Sequence, residues 1–267
     1  MDVAKVSEFN VLFLGSGRIA ELCLRLLCKL QYINVVGVVT NADFYNGARD
    51  DLFDTPPEFI SNLDRNLELI LDVISRRNVN VLISVQHNWI LTQDVLDAVN
   101  GQAYNLHNGR LPDYRGHHTI AHALVNNETE FTSTIHCMQD VVDVGDIVVE
   151  KTTPIWSHDT AWTLYNRVVP TAVDAFREFI EHLIDGYMPR RAIVGKGTYY
   201  SKRDLDSLRR IVTSNDCNII RAMYFPPYEP AINQAHYLIP DGSDQNWRNT
   251  PPANLSCWEI TKGTYHL

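Results

Sequence analysis

Val11-Leu12-Phe13-Leu14-Gly15-Ser16-Gly17-Arg18-Ile19-Ala20 decides the fold class of this chain. Four apolar residues run into a Gly-Ser-Gly turn. Helical spacing follows at once in Ile19, Leu22, Leu26, Leu27 and Leu30. A second apolar, β-branched run covers residues 35–40. Strand, glycine turn, helix and strand in that order open a doubly wound, mostly parallel α/β sheet.

The pattern continues outward. Residues 41–57 are polar and turn-rich and read as a loop. Leu67, Ile70, Leu71 and Ile74 repeat helically, and residues 79–85 form a buried strand that Gln86-His87-Asn88-Trp89 ends. Thr92 caps a helix through Val99, and residues 104–107 are the next strand. A short helix at 118–126 and strands at 132–138 and 146–155 follow. Asp159 reads as the cap of a long helix with Leu164, Val168, Ala172, Ala175, Phe179 and Leu183 inside. Pro170 is expected to kink it, and Gly186 and Pro189 to stop it. The composition then shifts. An extended piece at 197–201, short helices at 203–212 and 214–224, and proline-rich β-like pieces read as an α+β appendage. The expected division is a catalytic α/β domain at 1–189 and a C-terminal appendage at 190–267.

The 267 residues are 45% hydrophobic and carry a net charge of -9. That balance argues against nucleic-acid binding, which needs a basic footprint. Cys23, Cys28, Cys137, Cys217 and Cys257 are dispersed, as reduced thiols of a cytoplasmic protein would be. No apolar stretch is long enough for a membrane span, and residues 1–10 do not read as a signal peptide. His117, His118 and His122 lack the Glu of a His-Glu-x-x-His site, so no metal is expected.

The chemistry gathers between Tyr104 and Ile147. Asn105 and His107 are two apart at the end of an apolar run, so a strand would point both the same way. Asp143 stands before Val144-Gly145, where a tight turn can return a carboxylate to the imidazole. An amide donor, a base near neutral pKa and an orienting carboxylate suit acyl transfer to an amine. Asn105-Leu106-His107, Leu111-Pro112-Asp113-Tyr114-Arg115-Gly116 and Asp143-Val144-Gly145 together resemble the formyltransferases that use N10-formyltetrahydrofolate. The resemblance covers about the first two-thirds of the chain.

That resemblance implies roles. Asn105, His107 and Asp143 would be catalytic. Trp89, Ile90 and Leu91 would border the folate, with Gln86, His87 and Asp140 beside them. Gly15, Ser16, Gly17 and Arg18 admit three readings: a dinucleotide fingerprint with Asp43 as a loosely placed acid, a turn without ligand, or a cradle for the substrate's phosphates. The last agrees with the downstream motif. Tyr224, Phe225 and Tyr228 offer aromatic faces to a nucleobase or pack the appendage. Within the family the chain is most similar to sugar-nucleotide N-formyltransferases, which implies dTDP-4-amino-4,6-dideoxyglucose as acceptor and a role in bacterial O-antigen synthesis. GDP-perosamine and a dTDP-3-amino sugar are the alternatives. An NAD-dependent sugar oxidoreductase and a non-catalytic binding module stand lower. Tyr237, Leu238, Trp247, Leu255, Trp258 and Ile260 make an apolar tail, which together with the resemblance leads us to expect a homodimer.

Overall fold

The computed structural model describes residues 9–53, 56–63, 65–210 and 217–225. In chain order the elements are β1 (Phe9–Gly15), α1 (Arg18–Leu27), β2 (Ile33–Thr40), α2 (Ala42–Leu52), β3 (Glu58–Ser61), α3 (Leu67–Arg76), β4 (Val81–Val85), α4 (Gln93–Ala98), β5 (Ala103–Asn108) and β6 (Arg115–Gly116). There follow α5 (Thr119–Val125), β7 (Glu130–Cys137), β8 (Ile147–Pro154), α6 (Ala161–Ile184), β9 (Tyr199–Tyr200), α7 (Lys202–Arg210) and α8 (Cys217–Met223).

Seven strands form one sheet in the order β3-β2-β1-β4-β5-β7-β8. The pairs β2–β3, β1–β2, β1–β4 and β4–β5 are parallel, and β5–β7 is antiparallel. This is the doubly wound, mostly parallel sheet that the opening stretch predicts. All five residues of β4 are buried, as a central strand covered on both faces requires. Leu12, Leu14, Val39, Ile70, Val73, Leu82, Val95 and Leu96 pack into one core cluster.

Local chemistry corrects several expectations. Within residues 41–57, read as a loop, Ala42–Leu52 form α2, and β3 begins at Glu58. Asn41 makes the helix possible, because its Oδ1 accepts the Phe44 N–H at 2.7 Å, an N-cap bond. On α1 the buried face is Ile19, Ala20, Cys23, Leu24 and Leu27, whereas Leu22 is exposed. The cap of α6 falls one residue later than expected. Thr160 Oγ1 accepts the Thr163 N–H at 3.2 Å, and Thr163 Oγ1 accepts the Thr160 N–H at 2.9 Å. Asp159 is fully buried and held by Arg167, with contacts of 2.5 and 2.6 Å. The helix runs through Pro170, and Gly186, at φ 68, follows its end. Cys23, Cys28 and Cys137 are free thiols, whereas Cys217 is disulfide-bonded and departs from the all-thiol reading. Among the described residues no helix is long and apolar enough to cross a membrane. Tyr228 and the apolar tail lie outside the described residues.

The chain divides into two compact units: Met1–Arg115, Thr132–Lys151 and Val169–Thr198, then Gly116–Phe131, Thr152–Val168 and Tyr199–Leu267. In the second, Arg221 donates to the Trp156, Ser157 and Asp159 carbonyls, and α8 packs on α5.

Gly145 is the tightest point in the first unit. A Cβ there would lie 1.8 Å from the Cys137 carbonyl oxygen. The Cys137 N–H donates to the Asp146 carbonyl at 2.8 Å, so neither backbone is free to yield. Gly145→Ala is expected to destabilise the protein by about 3 kcal/mol, the upper end of overpacking costs, and to lose activity by displacing Asp143. Urea unfolding with a parallel rate assay checks both.

Candidate active site

In an open α/β sheet, ligands bind outside the carboxyl ends of the strands where the winding reverses. Here that point lies between β1 and β4, whose ends meet at Gly15 opposite Val85. A Cβ at Gly15 would lie 2.4 Å from the Val85 carbonyl, so only glycine fits. Gly17 then turns the chain at φ 85 and stands at the N-terminus of α1. Ser16 is half-buried, and Gly17 and Arg18 are exposed. The turn thus offers helix N–H groups to an anion at the switch point. Gln86 leaves β4 at φ 54, and its carboxamide oxygen would be 3.4 Å from a Cβ at Gly17. That oxygen is buried and has no hydrogen-bond partner among the described residues.

The neighbouring strand carries the reactive groups. Asn105 and His107 project from β5 as the i, i+2 spacing predicts, and Asp143 returns to them. His107 is 8% exposed and Asp143 7%. Asp143 Oδ2 lies 3.5 Å from His107 Nδ1. His107 Nε2 lies 2.6 Å from the Tyr114 carbonyl oxygen. A carbonyl only accepts, so Nε2 carries a proton and donates it. The 109–114 loop is pressed onto this ring: a Cβ at Gly109 would be 2.5 Å from His107 Nε2. Thr134 Oγ1 holds the Gly109 carbonyl at 2.8 Å.

A fourth side chain completes the cluster. His136 on β7 stands directly opposite Asn105 in the antiparallel register. Its Nε2 is 3.2 Å from the Asn105 carboxamide and 3.3 Å from Asp143 Oδ1. The sequence reading missed it. The strand at 132–138 was legible, but its antiparallel register against β5 was not.

The residues expected at the folate gather at the end of β4. The Trp89 ring packs against the core cluster and its Nε1 donates to the Asn62 carbonyl at 3.2 Å. Leu91 is buried, Ile90 is exposed, and the Ile90 carbonyl accepts from Arg65. His87 meets Trp89 edge-on at 5.0 Å, and burial pushes its pKa down to about 4. Asp140 is exposed in the loop before Asp143. In the second unit, Phe225 is met edge-on by Trp162 and Tyr165, each at 5.3 Å, and the Tyr224 carbonyl accepts the Trp162 N–H. Burial pushes the Tyr224 hydroxyl up to about 12.

A doubly wound sheet with a half-buried Asn and a buried His–Asp pair beside its switch point defines an α/β protein with a polar site at its strand ends. Residues 9–180 match the formyl transferase family model, and the chain belongs to that family. Over 229 residues it is 27% identical to GDP-perosamine N-formyltransferase of Brucella melitensis, covering 84% of this chain and 88% of that one. Methionyl-tRNA formyltransferase of Thermotoga neapolitana is 31% identical over 187 residues, 66% of this chain and 59% of its own. An N-formyltransferase from Helicobacter canadensis, solved with folinic acid and dTDP-3-aminofucose, shares the fold at a TM-score of 0.60. Its identity is 18%, with 82% of each chain covered.

The buried histidines make stability depend on pH. His122 stacks flat on Tyr200 at 3.9 Å, and burial pushes its pKa down to about 4, as for His87. In the unfolded chain both take up protons below roughly 6.5. The folded state resists until about pH 4, so stability is full above 6.5 and falls as pH drops through that window. Each group is expected to contribute on the order of 2–3 kcal/mol to the loss. Urea midpoints should fall as pH drops from roughly 6.5 to roughly 4.5, and His122→Phe should flatten the slope.

Proposed function

We propose that the protein transfers a formyl group from N10-formyltetrahydrofolate to the 4-amino group of a nucleotide-linked 4-amino-4,6-dideoxysugar. The observation that carries this is the placement of half-buried Asn105 and the buried pair His107 and Asp143 in one cluster, with His136 linking Asn105 to Asp143, in a chain of the formyl transferase family. GDP-perosamine is favoured as acceptor, because the relative that acts on it aligns with 84% of the chain, whereas the tRNA enzyme aligns with 66%. dTDP-4-amino-4,6-dideoxyglucose is the second reading, from the sequence motifs. The products belong to bacterial O-antigen synthesis, and the acting form is a homodimer in the cytoplasm.

The roles follow from the chemistry. The amine nitrogen attacks the formyl carbon, and the Asn105 NH2 donates to the developing oxyanion. His107 Nε2 first gives up to solvent the proton it donates to the Tyr114 carbonyl, exchanges that carbonyl for the amine, takes the amine's proton and passes it to N10 as the C–N10 bond breaks. Asp143 keeps the other ring proton on Nδ1, so that Nε2 is the basic nitrogen. The loop from Gln86 to Leu91, with Asp140, borders the pterin. Exposed Ile90 and the Trp89 ring supply apolar surface there. Gly15, Ser16, Gly17 and Arg18 hold the diphosphate at the N-terminus of α1. For the base, the aromatic rings of Tyr224, Phe225 and Tyr228 are proposed from the sequence alone.

His107→Asn and Asp143→Asn are each expected to lower kcat by about 10²–10⁴ with folding intact. The assay follows tetrahydrofolate release with GDP-perosamine, dTDP-4-amino-4,6-dideoxyglucose, a dTDP-3-amino sugar and glycinamide ribonucleotide as acceptors. Near-normal turnover in either variant contradicts the mechanism. Activity on glycinamide ribonucleotide alone contradicts the sugar-nucleotide reading.

A further inference from the structure

Gln86 joins two features that the fold does not require of it. Its backbone turns left-handed at φ 54 at the end of β4, a strain that a residue with a Cβ keeps only where its surroundings impose it. Its carboxamide oxygen is buried without a hydrogen-bond partner among the described residues, and an unmade buried bond is costly. The backbone of Gln86 opens the loop proposed to border the pterin. Its side chain instead reaches over the turn between β1 and α1, with Oε1 3.4 Å from where a Cβ on Gly17 would stand. Strain and an unsatisfied polar group held together at the switch point indicate a ligand contact.

The strand register says which part of a ligand passes there. Val85, the residue before Gln86, stands beside Gly15 of β1 on one side and Leu106 of β5 on the other. The diphosphate cradle proposed at Gly15 to Arg18 and the base His107 therefore flank Gln86, two strand spacings or roughly 10 Å apart. In a 4-amino-4,6-dideoxyhexose, C1 carries the diphosphate and C4, across the ring, carries the amine. A ring that bridges the two ends crosses β4 and turns one long edge to Gln86. The C5 edge holds a ring oxygen and a methyl group, and neither donates a hydrogen bond. The C2–C3 edge holds two hydroxyls, which is what an acceptor without a partner needs.

We infer that Gln86 is a specificity residue of the acceptor site: its carboxamide oxygen accepts from one hydroxyl of the sugar's C2–C3 edge, and its NH2 donates to the other. The inference rests on the proposed sugar-nucleotide reaction. The last torsion of a glutamine is broad, and no hydrogen bond among the described residues holds the oxygen, so the carboxamide swings out to the hydroxyls while the backbone stays. The oxygen gains on binding the partner that it lacks in the free protein. A sugar without those hydroxyls leaves it unpaired, which is how a polar site rejects an analogue.

Gln86→Met keeps the length of the side chain and removes both polar ends. Isothermal titration with GDP-perosamine should show an affinity lower by about 10–10²-fold, the loss of two neutral hydrogen bonds. GDP alone should bind the variant as it binds the unmutated protein, and KM for N10-formyltetrahydrofolate should stay within about twofold. Where the acceptor panel selects dTDP-4-amino-4,6-dideoxyglucose, that compound and dTDP take their places. The 3-deoxy analogue of the acceptor should bind the unmutated protein more weakly than the acceptor does, and Gln86→Met should bind the two alike. The urea midpoint of Gln86→Met should equal or exceed that of the unmutated protein, since the free protein loses no hydrogen bond. Equal acceptor affinity in the two proteins, or a lower midpoint in the variant, overturns the inference. Weakened GDP binding assigns the side chain to the diphosphate, and a raised folate KM assigns it to the pterin; either result also overturns it. An unmutated protein that formylates no sugar nucleotide overturns the functional reading, and this inference with it.

Discussion

A carboxylate buried to 7% exposure must be met by donors on both oxygens, and that requirement organises the site. Asp143 has one oxygen 3.5 Å from His107 and the other 3.3 Å from His136. Its backbone sits at φ 55, a left-handed conformation that costs roughly 1–2 kcal/mol in a residue with a Cβ. Gly145, packed on the Cys137 carbonyl, holds the loop in that shape. Strand β7 thus supplies the wall for Gly145 and one of the two imidazoles. Strand β5 supplies the other imidazole and the carboxamide. The antiparallel register, Asn105 opposite His136 and His107 opposite Thr134, is what brings the four groups together. A slip by one residue would turn them to the opposite face.

Much of this was legible in the sequence, and the exceptions have physical reasons. The glycine turn and alternating apolar runs identified the doubly wound sheet, because strand and helix periods differ and glycine marks the turn between them. Asn105 and His107 were readable as a pair because i, i+2 spacing has one meaning in a strand. Asp143 was readable only through its distance from that pair and the glycine after it. His136 was not readable: its place depends on a strand register set by packing between distant segments. Helix α2 was missed because its residues are polar, and its start depends on one Asn41 side-chain bond. Asp159 suits a cap position by residue type. A charge partner eight residues on, Arg167, claims it instead.

The division of labour follows the sheet. The end of β1 presents helix N–H groups suited to an anion, and the end of β4 presents apolar and backbone surface suited to a flat ring. The end of β5 presents the amide and imidazole proposed to stabilise charge and move protons. The Gln86 carboxamide oxygen, buried and without a hydrogen-bond partner among the described residues, lies where the first two meet.

The central claim is that this edge joins a folate-borne formyl group to a sugar amine. Single-turnover mixing of enzyme, N10-formyltetrahydrofolate and GDP-perosamine, quenched and read by mass spectrometry, tests it most directly. The account predicts one formyl mass added to the sugar nucleotide for each tetrahydrofolate formed, with Asn105→Ala, His107→Asn and Asp143→Asn each slowing that step. Formate released in place of formylated sugar, or transfer at an undiminished rate in those variants, would contradict it.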